Sequence, residues 1–189
     1  MEADANPDAL KAQSRKACLA ARDRVGPLPR AAAATRLFAR LMALRGRTIA
    51  GYLPIGSEVD PRGTMRALHG ANRICVPVVT GKGAPLRFRE WWPGCALETG
   101  TFGVPVPTEG GWRVPDLLIV PLVGFDAECG RLGYGGGFYD RTLAGLRNAD
   151  AVGLALEAQR LDRVPRGAHD VALDAIITDA GVYQTRATD

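Results

Sequence analysis

The segment Gly130-Arg131-Leu132-Gly133-Tyr134-Gly135-Gly136-Gly137-Phe138-Tyr139-Asp140-Arg141 places five glycines within eight residues. It lies between an apolar run, Leu117 to Val123, and a helix-like stretch, Phe138 to Leu146. A buried strand, a glycine turn and a helix start in succession form a phosphate-binding arrangement. Bare backbone N–H groups can approach the oxygens, and the helix N-terminus adds partial positive charge. Arg131 enters the loop and Arg141 follows it, so cations are available to the same ligand. Asp140 stands where a carboxylate can hold a magnesium ion bridging phosphates, an ion that often takes only one or two carboxylates. The plainer alternative is a flexible turn in which Asp140 stabilises the helix terminus.

The loop is neither G-x-x-x-x-G-K-[ST] nor G-x-G-x-x-G, which excludes a standard P-loop and a Rossmann fingerprint. A length of 189 residues suffices for one sizeable core, and a single domain over 1–189 is expected, with 1–8 disordered. The hydrophobic share of 47% and the charged share of 23% are those of an ordinary globular protein. A net charge of +4 suits an anionic ligand, but it equally suits weak nucleic-acid contact. The acidic start, Met1 to Asp8, has no apolar signal core, and no apolar run reaches membrane-spanning length. Cys18, Cys75, Cys95 and Cys129 are scattered without C-x-x-C spacing, and with only His69 and His169 a zinc site is not expected. Free thiols in a cytoplasmic chain with no membrane partner are the reading. A monomer is the working expectation.

Along the chain, Ala9 to Arg24 is rich in helix formers. Lys11 and Arg15 stand four apart, on one helical face, where a solvated surface is the commoner explanation. Gly26-Pro27-Leu28-Pro29 breaks this helix, and a second runs from Arg30 to Leu44. Thr48 to Leu53 reads as a strand, with Glu58 on the loop beyond it. Active-site groups often occupy such loops, although a surface carboxylate or a cap of the next helix, Gly63 to His69, explains Glu58 as well. Further strands are expected at Ile74 to Val79, Leu86 to Trp91, Asp116 to Val123, Ala151 to Leu156 and Leu173 to Thr178. Phe102 to Pro107 reads as an extended loop, because each proline disfavours helix at its predecessor. Trp91-Trp92 is either a platform for a flat ring or core packing. His169, a lone loop histidine, is more often a hydrogen-bonding fixture than a general base. Strands alternating with helices imply a three-layer α/β/α fold with a largely parallel sheet.

The glycine segment, preceded by Pro121-Leu122-Val123-Gly124-Phe125-Asp126, resembles the signature of the 5-formyltetrahydrofolate cyclo-ligase (5,10-methenyltetrahydrofolate synthetase) family. The resemblance extends from Lys11 to Thr178 and is strongest in the loop. It implies a fold related to sugar-phosphate isomerases and CoA transferases. It also implies ATP-dependent closure of 5-formyltetrahydrofolate to 5,10-methenyltetrahydrofolate, with ADP and phosphate released and no protein nucleophile. By the same resemblance Lys11, Arg15, Arg131, Leu132, Gly133, Tyr134, Gly135, Gly136, Gly137, Phe138 and Tyr139 contact ATP. Leu53 and Glu58, with Tyr134 to Phe138, contact the folate, and Asp140 and Asp174 hold magnesium. Some family members carry basic residues where this chain has Tyr134 and Gly136, so phosphate charge falls to Arg131, Lys11, Arg15 and the metal.

Two rivals remain at this level. One is a sugar-phosphate or CoA-ester enzyme on the same fold, which would need a base or a glutamate nucleophile. The other is a basic nucleic-acid-binding module, which would need one continuous cationic patch. Acidic residues interspersed throughout the chain disfavour the latter, and no nucleic-acid partner is expected.

Overall fold

The computed structural model describes residues 7–167 and 170–185. Helices α1 (Pro7–Asp23) and α2 (Pro27–Leu41) precede strand β1 (Thr48–Ala50), helix α3 (Arg62–Leu68) and strand β2 (Arg73–Val78). Then come β3 (Arg87–Glu90), β4 (Leu97–Thr99), a 3-10 turn over Thr101–Gly103, β5 (Pro105–Pro107) and β6 (Trp112–Arg113). The glycine segment lies among β7 (Leu117–Pro121), β8 (Gly124–Phe125), β9 (Arg131–Leu132) and helix α4 (Phe138–Gly145). Strand β10 (Asp150–Leu154), a 3-10 turn at Glu157–Gln159, β11 (Ala175–Ile177) and β12 (Val182–Gln184) complete the described chain.

Eight strands form one sheet in the order β12-β11-β10-β7-β1-β2-β3-β6. The inner five are parallel. Strands β12 and β3 run antiparallel to them at the flanks, and β6 pairs antiparallel with β3 at the edge. Successive residues of a strand face opposite sides, and the core divides accordingly. Ile49, Leu117 and Ile119 join Leu37 of α2 and Met65 and Leu68 of α3 on one face. Ala50, Leu118 and Val120 join Phe125 and Leu143 of α4 on the other. Each fully buried aliphatic side chain contributes about 1.5–3 kcal/mol relative to leaving it exposed, and both faces of the sheet need a covering layer. Gly51 lets α3 approach closely, since a Cβ there would stand 2.5 Å from the Met65 sulfur. The mixed α/β architecture with a mostly parallel sheet therefore agrees with the sequence reading.

Four local expectations change. Pro27 and Pro29 do not separate two helices from outside; they lie inside the first turn of α2, with Gly26 as its N-cap. A first-turn proline surrenders only an N–H that has no partner in the helix. The first parallel strand ends at Ala50 rather than Leu53. Beyond it the Tyr52 hydroxyl donates to the Val59 carbonyl at 2.6 Å, which turns the chain into the Glu58 loop. Pro105–Pro107 is a strand and not a loop, paired with β4 in a separate two-stranded ribbon where an absent donor is tolerated. Pro7 and Asp8, expected in a disordered start, belong to α1; residues 1–6 lie outside the described residues. All four cysteines are free. Trp91 is buried in the core with the α2 face of the sheet. Among the described residues no helix is long and apolar enough to cross a membrane.

Candidate active site

The parallel strands deliver their carboxyl ends to one edge of the sheet, and a cleft of about 730 Å³ opens there. Strand β7 runs into the tight antiparallel pair β8–β9, whose turn is built on Asp126. That carboxylate, 1% exposed, accepts from the amides of Gly130 at 2.8 Å and Val164 at 3.0 Å, and Arg166 donates to it at 3.1 Å. Burial alone would raise its pKa, but those amides and the guanidinium outweigh burial and hold it below the ordinary value. The turn thus fixes where Arg131 begins the glycine loop.

Within the loop Gly135 has φ +98° and Gly137 φ +64°, conformations that side chains rarely adopt. Gly137 is the N-cap of α4, and no side chain caps that end. Its first amides therefore face the cleft as donors for an anion. Helix α1 crosses the loop from the other side. Lys11 Nζ donates to Asp170 Oδ2 at 2.5 Å, and Arg15 Nε to the Gly133 carbonyl at 2.9 Å. Arg131 Nη2 donates to Asp140 Oδ1 at 2.6 Å. Burial lowers the Arg131 pKa despite Asp140, and its buried Nε has no partner among the described residues. Such a guanidinium gains from a further anion. For Asp170, burial pushes upward but Lys11 and the Gly167 amide prevail, and its pKa is lowered.

The opposite wall is less polar. Leu53 is buried beside Glu58. Glu58 Oε2 accepts from the Ile55 amide at 2.8 Å, and Oε1 accepts from the Tyr134 hydroxyl at 2.9 Å. Burial raises the Glu58 pKa, opposed by those two donors and by Arg22. Across from it, Phe102 stands at φ 60°, three-quarters exposed, with its ring edge-on to Phe138 at 6.1 Å. A smaller cleft of about 300 Å³, beside Trp112 and Arg113, contains none of the site carboxylates.

The cleft brings together Lys11, Arg15, Leu53, Glu58, every residue from Arg131 to Tyr139, and Asp140. It does not include Asp174. That residue stands one position before β11, and its Oδ2 accepts from the Ala151 amide at 2.7 Å near the start of β10. Asp174 is therefore at the amino end of the parallel strands, away from the cleft in which a magnesium role was expected of it. Asp170, which lines the cleft, is the carboxylate in the place expected of it. Trp91 does not line the cleft either, and His169 lies outside the described residues. Sequence reasoning missed Asp170, Arg22, Tyr52 and Phe102. Arg22 alone left a usable signal, standing seven residues after Arg15 and so on the same helical face.

A magnesium ion shared with phosphates fits this set. Among the described residues no group of three or more His, Cys, Asp or Glu could cage a metal. Magnesium bound with phosphates needs only one or two carboxylates, and Asp140 and Asp170 meet that need beside the uncapped α4 end.

The family model described as the 5-formyltetrahydrofolate cyclo-ligase family matches residues 7–179. A 5-formyltetrahydrofolate cyclo-ligase of Mycolicibacterium smegmatis is 33% identical over 181 residues, covering 89% of this chain and 93% of that one. The Escherichia coli K12 protein of the same name is 32% identical over 161 residues, covering 80% and 88%. The solved structure of Aquifex aeolicus 5,10-methenyltetrahydrofolate synthetase superposes with a TM-score of 0.81 at 30% identity, covering 95% of each chain. With the glycine loop, the uncapped helix and the paired cations at one sheet edge, these matches place the chain in the 5-formyltetrahydrofolate cyclo-ligase family.

Proposed function

We propose that this chain closes 5-formyltetrahydrofolate to 5,10-methenyltetrahydrofolate with consumption of ATP and release of ADP and phosphate. The observation that carries the reading is the composition of the cleft. One wall is an amide-rich loop ringed by Lys11, Arg15 and Arg131, and the facing wall is Leu53 and the buried Glu58. A nucleotide phosphate chain suits the first wall. A flat ring bearing N–H donors suits the second, because an ionised carboxylate only accepts hydrogen bonds.

The chemical obstacle is the formyl oxygen, a poor leaving group. Transfer of the terminal phosphoryl group breaks its bond to ADP and forms a bond to that oxygen. The lone pair of the N10 nitrogen then attacks the formyl carbon. Its proton is released to solvent, the carbon–oxygen bond breaks, and phosphate departs. No protein nucleophile is needed, so the residues act by position and charge. Lys11, Arg15 and Arg131 hold the phosphates, the α4 amides face the developing negative charge, and Glu58 orients the ring so that the formyl oxygen meets the phosphate. Asp140 and Asp170 would hold magnesium, which when bound neutralises phosphate charge. The pairs Lys11–Asp170 and Arg131–Asp140 already juxtapose the opposite charges that these roles require.

Purified protein mixed with magnesium, ATP and 5-formyltetrahydrofolate is expected to develop the absorbance of the methenyl product. Absorbance that appears without ATP, or fails to appear with every component present, overturns this reading.

A further inference from the structure

Helix α1 reaches past the phosphate region. Lys11, Arg15, Cys18 and Arg22 recur at steps of four, three and four, one helical face, and each makes a contact far along the chain. The last is the least expected. Arg22 is 4% exposed, although arginine is rarely so buried without a partner. Its Nε donates to Ser57 Oγ at 3.0 Å and its Nη2 to the Tyr134 hydroxyl at 3.1 Å. Its buried Nη1 has no partner among the described residues. The Tyr134 hydroxyl in turn donates to Glu58. One phenol therefore joins α1, the loop after β1 and the glycine loop.

A buried carboxylate is costly unless charge and hydrogen bonds compensate it. The groups facing Glu58 come from four elements: Arg22 on α1, Tyr134 on the glycine loop, Tyr52 after β1 and Tyr139 on α4. Arg22 is the cation among them. Its place is fixed in turn by Arg30 of α2, which donates to the Arg22 carbonyl at 2.7 Å and to the Ser57 carbonyl.

We propose that Arg22 is a positioning residue for the cyclisation: acting through Tyr134, it keeps Glu58 an oriented acceptor for the folate ring and ties that wall of the cleft to the nucleotide loop. This rests on the cyclisation reading above. Arg22 does not itself line the cleft, and it acts through the two groups that do.

The test compares Arg22→Met, Arg22→Lys, Tyr134→Phe and the double variant with wild-type protein, each at saturating ATP across a pH series. Loss of the Arg22–Tyr134–Glu58 connection is expected to raise the folate KM about tenfold in Arg22→Met, with kcat changing far less. Glu58 must be ionised to accept from the ring, and without Arg22 it protonates more readily. The acid-side fall of kcat/KM for folate therefore begins at higher pH in Arg22→Met than in wild type. Arg22→Lys keeps the charge and restores the wild-type acid limb. The double variant falls short of the product of the single effects, because both substitutions break one connection.

An unmoved acid limb and folate KM in Arg22→Met, or effects that multiply with Tyr134→Phe, would overturn the assignment. If Arg22→Met does not fold, Tyr134→Phe decides alone: the half-exposed phenol can be removed without emptying the core, and an unchanged acid limb sinks the proposal. Wild-type protein that forms no methenyl product overturns the cyclisation reading itself, a result distinct from an active wild type indifferent to Arg22.

Discussion

The two ends of the parallel strands both carry arginines among carboxylates, yet they differ in how completely those charges are answered. At the amino end Arg47 bonds the carboxylate of Asp116 through Nε, the Asp116 carbonyl at 2.9 Å and Asp150 at 2.8 Å through Nη2. Those bonds raise its pKa, and its partners are well exposed. At the carboxyl end Arg131 is 8% exposed and, among the described residues, has one carboxylate partner and no partner for its Nε. The first arrangement fastens strand β1 to its neighbours and asks for nothing more. The second is incomplete as it stands, and a phosphate would complete it. Incomplete compensation of buried charge, more than the presence of charge, separates a site from a staple.

The contrast breaks most visibly at Asp140. Asp140→Asn is expected to lower turnover at least about a hundredfold, the scale of removing one preorganised electrostatic group; steady-state formation of the methenyl product measures it. Near-normal turnover would remove Asp140 from the phosphate and metal chemistry. Glu58→Gln should raise the folate KM by about ten- to a hundredfold, as befits a lost hydrogen bond to a charged group, and leave nucleotide binding by the free protein unchanged.

The same substitution carries a sign that can be checked by melting. Burial raises the Glu58 pKa in the folded protein, so the folded state binds this proton more tightly than the unfolded one. The associated stability is present at low pH and is lost as pH rises through the folded pKa. At neutral pH the ionised Glu58 costs stability, and Glu58→Gln is expected to raise Tm even as folate affinity falls. A Tm that drops at neutral pH would contradict this.

Arg47→Met should cost at most about 1 kcal/mol, the range of solvent-exposed pairs, with kcat unchanged; chemical denaturation and the product assay read the two quantities. Asp174→Asn is the smallest case. The amide oxygen can still accept from Ala151, and turnover should stay within about twofold of wild type, a free-energy difference below about 0.5 kcal/mol. Lost activity there would return Asp174 to the chemistry and dissolve the distinction between the two strand ends.

What could be read in advance follows the same division. Short apolar runs revealed the strands of the parallel sheet, and the glycine segment revealed the α4 start and the cation-rich loop, because those signals are local. Asp170 and Asp174 were not separable by that route. Both are carboxylates before or within a short terminal strand, and only the ladder, which pairs Val152 with Ala175, shows that Asp174 stands at the far end. Pro27 and Pro29 misled because proline breaks a helix interior but suits its first turn, and the sequence does not say which helix claims it. Phe102 was hidden for another reason. Its left-handed backbone is set by the ribbon between β4 and β5, and no neighbouring residue type announces it.

The stripe on α1 also orders events in time. Lys11 meets Asp170 across 159 positions, and Arg15 meets Gly133 across 118. At roughly 5–20 residues per second of synthesis, Lys11 would wait roughly 8 to 32 seconds for its partner. Until then the first helix is a cationic segment without its cleft. Under the proposed function, the ability to hold nucleotide would arrive only once Asp170 has been made, after most of the strands of the sheet.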